Sequence, residues 1–219
     1  MVQTPGESWL DLDRSKPELG EIWRGSLPIP CFRELVTLKV NDCPFLSDAV
    51  LPFHLFPLLS KLETLEVQNC DSVKVIFDDV KCSTQHTLIT FPMKNLVLSN
   101  LPELEAVWNE DSPHAILCMQ HLKEVHVRKC KRLTSVFPAS VAKDLELEDL
   151  VVEECERLVA IVAEDNTDSS LELTLPCPYV KSLKLRGLQK FNYFYYCSLN
   201  THLESPTQYQ LPREKVSLF

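Results

Sequence analysis

Glycine is nearly missing from this chain: four residues, Gly6, Gly20, Gly25 and Gly187, in 219. Phosphate-cradling loops of the P-loop and dinucleotide-binding kinds need clustered glycines so that backbone can approach phosphate, so both are excluded. Cysteine is plentiful at nine, but no two are spaced as Cys-x-x-Cys and the number is odd. Free thiols in a reducing compartment are expected, hence a cytoplasmic location, rather than a disulfide framework. No apolar run approaches the length of a membrane-spanning helix, and none is expected. The opening MVQTPGESWLDLDR is too polar and acidic for a secretory signal, and no Asn-x-Ser/Thr sequon occurs. Positive charge is in deficit, 22 Lys and Arg against 31 Asp and Glu, for a net −9. A general binder of phosphate backbones carries the opposite sign, so no nucleic-acid partner is expected. The deficit is uneven, because residues 176–219 hold six basic and two acidic side chains. A basic end on an acidic body suits contact with an acidic protein surface.

Apolar residues make up 45% of the chain, enough for a sizeable core. The 15 prolines are spread along the sequence, which fits many short elements better than long helices. The main signal is an internal repeat. Leu62, Leu65, Val67, Cys70, Val73, Ile76 and Phe77 define a frame L-x-x-L-x-V-x-x-C-x-x-V-x-x-I-F. The frame recurs from Leu35, with Leu38, Val40, Cys43, Leu46, Ala49 and Val50. It recurs from Met93, Leu122, Leu147 and Val180 through Trp108, Phe137, Val162 and Tyr195. Successive copies start about 29 residues apart on average, and every frame position is apolar if Cys and Ala are included. A partial copy opens the chain: Pro17–Trp23 matches Pro102–Trp108, and its strand part, Leu10 and Leu12, fits with a one-residue shift.

Alternation of the Leu-x-Leu kind has period two and reads as a short strand with one buried face. The residue three places later (Cys43, Cys70, Leu101, Cys130, Cys155 or Leu188) turns inward as the chain leaves the strand. One unit cannot bury its own face, so neighbours must stack. The expected architecture is an α/β solenoid. One side is a parallel concave sheet of about six to seven short strands, and the other is an irregular convex side with short helices. The expected division is a partial repeat and lead-in over 1–31, six repeats over 32–198 and a tail or incomplete repeat over 199–219. The first unit is partial and Gln208–Phe219 supplies no full one, as expected of an array cut at one or both ends.

The unit resembles the leucine-rich repeat, L-x-x-L-x-L-x-x-N/C-x-L, over roughly residues 10–195. "LETLEVQNCDSVKVIF" (62–77), "LVLSNLPELEAVW" (96–108) and "CKRLTSVFPASVAKDLELEDLVVEECERLVAIV" (130–162) are similar to repeats of plant intracellular immune receptors. Those are the disease resistance proteins with a coiled coil, a nucleotide-binding domain and leucine-rich repeats. The alternation of LPxLxxxW with CxxLxxxF units is typical of them. The resemblance implies a non-catalytic protein-recognition module without cofactor or metal. It would sense a pathogen protein or a guarded host protein, or hold other domains of the same receptor inactive.

The residues between the frame positions point outward from the sheet. The last three units offer Glu124, His126, Arg128 and Lys129, then Asp149, Val151, Glu153 and Glu154, then Ser182, Lys184, Arg186 and Gly187. The charged members (Glu124, His126, Arg128, Lys129, Asp149, Glu153, Glu154, Lys184 and Arg186) form the candidate partner-binding face. Arg128, Glu153 and Arg186 should lie in one row, with Lys129 beside Glu154. These charges either recognise a protein or pair among themselves; as an exposed row they would let Glu153→Arg disturb binding and hardly touch folding. Acidic insertions at Asp78–Pro92 and Ala163–Tyr179 are a second candidate contact region. Alternatives are the substrate-recruiting repeats of an F-box ubiquitin ligase, or a cysteine-dependent hydrolase built on Cys118 with His121 or His114, or Cys82 with His86. A zinc site on His114, Cys118 and His121 lacks a fourth nearby ligand.

Overall fold

The computed structural model describes residues 9–15, 20, 31–46, 49–78, 89–109, 117–142, 145–163, 180–196 and 216–218. In chain order the strands are β1 Trp9–Asp13, β2 Thr37–Asn41, β3 Ala49–Pro52, β4 Thr64–Gln68, β5 Val75–Asp78, β6 Ile89–Thr90, β7 Asn95–Ser99, β8 Ala106–Trp108, β9 Leu117–Cys118, β10 Glu124–Arg128, β11 Ser135–Pro138, β12 Asp149–Glu153, β13 Ala160–Ala163, β14 Ser182–Arg186, β15 Tyr193–Tyr196 and β16 Val216–Leu218. The main sheet orders them β1-β2-β4-β7-β10-β12-β14-β16, all parallel. This is the leucine-rich-repeat solenoid expected from the frame.

The register follows from the apolar alternation. Leu38, Leu65, Leu96, Val125, Leu150 and Leu183 lie side by side, as do Val40, Val67, Leu98, Val127, Val152 and Leu185. All twelve are buried. A one-residue slip would turn every one of them to the outer face. Each fully buried aliphatic side chain contributes about 1.5–3 kcal/mol of transfer free energy, so register and burial enforce each other. Leu10 and Leu12 extend both columns, opposite Leu38 and Val40, confirming the one-residue shift of the first unit. Beyond the last full unit, β16 adds a three-residue strand beside β14.

Every full unit leaves its main strand through a left-handed residue. Asp42, Asn69, Asn100, Lys129, Glu154 and Gly187 have φ between 53° and 63°. The bend keeps the ladder going for one more step: Asp42 N–H donates to Gln68 O at 3.1 Å, and Glu154 N–H to Arg186 O at 2.8 Å. Three places after the second apolar strand residue, the cysteines fold inward as expected. Cys43, Cys70, Cys130 and Cys155 are free and buried, and Cys70 Sγ donates to Gln68 O at 3.2 Å. The hydrogen bond to Cys70 and burial both push the Cys43 thiol up, and Cys155 and burial do the same to Cys130. They behave as small hydrophobes.

The return path is more regular than the repeat frame implied. Parallel ribbons β3-β5-β8, β11-β13-β15 and β6-β9 line it, with one α-helical turn at Ala139–Ala142 and 3-10 turns at Cys31–Glu34 and Phe53–Leu58 among the described residues. Phe77, Trp108 and Phe137 follow one another along it with successive ring centroids 5.4 Å apart, the first pair stacked and the second tilted by 39°. In the first full unit the frame slips. Ala49 pairs with Val75 and Leu51 with Phe77, so Val50 and Leu51 are buried and Ala49 is only half-buried. One extra residue between Leu46 and β3 accounts for it. Leu188, Phe191 and Phe194 are partly buried, because the last unit has less of a neighbour to cover it. The Tyr195 side chain and Pro17–Leu19 with Glu21–Trp23 lie outside what is described.

Two outcomes follow. Val67→Asp should unfold the array locally at a cost of several kcal/mol, seen as lost cooperativity in urea unfolding, because its carboxylate has no partner in the core. Lys129→Asn should stabilise by up to about 1 kcal/mol, by relieving the left-handed cost at φ 55°. Asn tolerates the left-handed bend better than Lys, and the new amide would extend the ladder Asn41–Asn69–Asn100, whose Nδ2-to-Oδ1 bonds are 2.8 and 2.9 Å. A denaturation midpoint that fails to rise would remove the bend as the source of the cost.

Candidate functional site

The outer face of the main sheet is a lattice fixed by the register. Across β10, β12 and β14 the rows read Glu124–Asp149–Ser182, His126–Val151–Lys184 and Arg128–Glu153–Arg186. The charged row expected from the sequence is therefore present. Its members are brought together by strands whose other faces are locked in the core. Lys129 and Glu154 sit beside it at the left-handed bends, 3.8 Å apart.

The electrostatics differ from the expectation at one residue. Glu153 is not exposed; it is 9% accessible. Its carboxylate lies 2.7 Å from Lys184 Nζ and 3.8 Å from Arg128 Nε, and Arg186 flanks it. Long cationic side chains from both neighbouring strands lie over a shorter acidic one, which is why an outward position becomes buried. The hydrogen bond from Lys184 holds the Glu153 carboxyl below the usual carboxylate range, assisted by the charges of Lys184, Arg128 and Arg186 and opposed by burial. Arg128 also reaches Glu154 at 3.2 Å. Glu153 is thus the keystone of a cationic cluster, and Glu153→Arg would put four cations together and cost folding as well as any binding.

The remaining members are more open. Glu124 is exposed and has no ion pair among the described residues. Asp149 has the His126 ring at 3.8 Å. Lys184 and Arg186 are exposed. Val97 on β7 and Val151 on β12 flank His126 on either side, half-buried. These two outward valines were visible as interruptions in the polar pattern, but their meeting around His126 depends on the register.

At the strand starts a separate column is plainly structural. Lys94 pairs with Glu63 at 2.9 Å, and Glu148 lies between Lys123 at 3.0 Å and Lys181 at 2.7 Å. At the other end of the face, Asp11, Asp13, Lys39, Asn41, Glu66 and Gln68 line a shallow cavity of about 260 Å³, with Lys39 and Glu66 paired at 3.0 Å. Of the thiol–imidazole candidates, Cys118 Sγ lies 3.9 Å from Gln120 Oε1, and Gln120 Nε2 lies 3.2 Å from the His121 ring. Gln120 stands between the two groups. Cys82, His86 and His114 lie outside the described residues, as does most of both acidic insertions. Among the described residues no three His, Cys, Asp or Glu side chains converge as a metal site, and no helix is long and apolar enough to cross a membrane.

Glu153→Gln should lower stability by about 1–3 kcal/mol at neutral pH, because it weakens a charge-assisted bond and leaves two cations under-compensated. The folded carboxyl titrates below its unfolded value, so its contribution is fully present above about pH 5. It is lost as pH falls through the depressed folded value. The gap in denaturation midpoint between wild type and Glu153→Gln should therefore close on going from pH 7 to pH 3. A gap independent of pH would mean that the loss is one of packing.

Comparison with curated proteins and with solved structures gave no match. The family described as plant disease resistance protein RPS2-like, leucine-rich repeats, matches residues 8–156. That span runs from just before β1 to just past β12, and β14 continues the same ladder beyond it. With the match covering more than half of the chain, the chain belongs to the RPS2-like leucine-rich repeats of plant disease resistance proteins.

Proposed function

We propose that this repeat array is a non-catalytic protein-recognition module acting in the cytoplasm, and that the outer face of β10, β12 and β14 is its contact surface. The partner is a pathogen effector, a guarded host protein or another domain of the same receptor. Binding would shift an on/off equilibrium elsewhere in that receptor. The carrying observation is the concentration of nine charged or titratable side chains, Glu124 to Arg186, seven on three register-locked strands and two at the bends that follow them. The outer face of the earlier full units is mostly neutral, with Thr37, Thr64, Gln68, Asn95 and Ser99. Ordered charges on a rigid scaffold give specificity more than raw affinity.

Capture from plant leaf extract tests this. The double change Glu124→Lys with Arg186→Gln alters two exposed side chains without ion pairs among the described residues and sets no new carboxylate opposite Glu153, so the fold should be kept within about 0.5 kcal/mol. Proteins retained by the wild-type chain should be lost or reduced severalfold, whereas Ser99→Ala should retain them. Equal recovery by both variants would remove this face as the contact surface.

A further inference from the structure

Self-pairing accounts for Glu153, Glu154 and Lys129, but not for three other charges on the outer face. Glu124 and Asp149 lie directly opposite each other on neighbouring strands, where like charges repel. Glu124 has no ion pair among the described residues, and Asp149 has only the His126 ring at 3.8 Å. On the far flank Arg186 has no ion pair within 4 Å among the described residues, since the Glu153 carboxylate is taken by Lys184 and Arg128. Between the flanks Val97, His126 and Val151 run side by side across β7, β10 and β12, all half-buried. The face is striped: the carboxylates Glu124 and Asp149 along one edge, a short lane that ends at Lys184, and along the other edge Arg128 and Arg186 on either side of the buried Glu153.

The stripes have the dimensions of one kind of occupant. Glu124 and Arg128 are four strand residues apart, roughly 13 Å, and an α-helix with its side chains is about 10–12 Å wide. Strands repeat every ~4.8 Å along the lane, close to the ~5.4 Å pitch of a helix. A helix can therefore set an apolar residue of each turn on the lane and send its side residues to both flanks. An extended segment laid the same way points its side chains alternately toward and away from the face, and leaves the flanks unanswered. We propose that the lane Val97–His126–Val151, which ends at Lys184, docks an amphipathic α-helix of a partner protein, laid across the strands, with basic residues over Glu124 and Asp149 and acidic residues over Arg128 and Arg186. This rests on the recognition function proposed above and specifies its partner. The charge asymmetry also fixes which way the helix runs, because turning it end for end exchanges its flanks.

A synthetic helical peptide of about 18 residues serves as the probe, with an apolar stripe, Lys on one flank and Glu on the other, followed by fluorescence anisotropy and circular dichroism. The peptide should bind the wild-type chain and gain helicity on binding. Glu124→Lys with Asp149→Lys should weaken it at least tenfold. That variant should in turn bind a peptide with Glu on both flanks more tightly than the wild type does. The milder pair Glu124→Gln with Asp149→Asn relieves the repulsion; it should weaken binding severalfold while leaving the unfolding midpoint equal or higher, which separates recognition from folding. No binding at about 1 mM peptide, equal binding of a peptide with Gln on both flanks, or a bound peptide that stays non-helical overturns the proposal. So does wild-type self-association that the double reversal abolishes, which would assign the face to a second copy. If the peptide fails while the leaf-extract capture still depends on Glu124 and Arg186, the helical occupant falls and protein recognition stands.

Discussion

No unit of this chain can bury its own apolar strand face, and the rest of the structure depends on that constraint. Leu65 and Val67 leave water only because Leu38 and Val40 stand on one side and Leu96 and Leu98 on the other. Parallel pairing in strict register is the arrangement that does this for every unit at once. Irregularity is then pushed to where stacking does not forbid it. The extra residue comes before β3, and the insertions of the second and fifth units follow β5 and β13 in the chain, so the main strands keep an unbroken ladder.

The same register turns the outward residues into columns, and each column acquires its own electrostatics. Before the strands, Glu63 pairs with Lys94, and Glu148 with both Lys123 and Lys181, so neighbouring units are linked there. After the strands, the left-handed bend selects Asn, Asp and Gly in four units and carries Lys129 and Glu154 in two. Those two exceptions fall beside the charged cluster. Local backbone preference has given way there to charge. Within the face Glu153 orders the cluster and the open charges at its edges remain for a partner, so the neighbouring roles of stability and recognition fall on different residues.

Much of this was legible in the chain alone, because period-two alternation and a recurring frame are local properties of sequence. The strands, their inward residues, the inward cysteines and the membership of the row Arg128–Glu153–Arg186 follow from counting positions. The slip at Ala49 and Leu51 was not legible, since one inserted residue in a turn leaves the apolar pattern nearly unchanged while moving each side chain to its neighbour's slot. The secondary ribbons on the return path were hidden for a related reason: stretches such as VIF and AVW are too short to show a period.

The sequence by itself determined that the chain is a stack of repeats, which side chains form the core and which face carries charge. Only the tertiary structure decided what those charges do. Glu153 and Glu124 are equivalent in the sequence, both acidic and both outward in the frame. One is buried under Lys184 and Arg128 and the other stands open beside Asp149. The difference comes from the neighbours that parallel strands place roughly 4.8 Å away in space and some 25 to 33 residues away in the chain, a distance across which no local pattern reports.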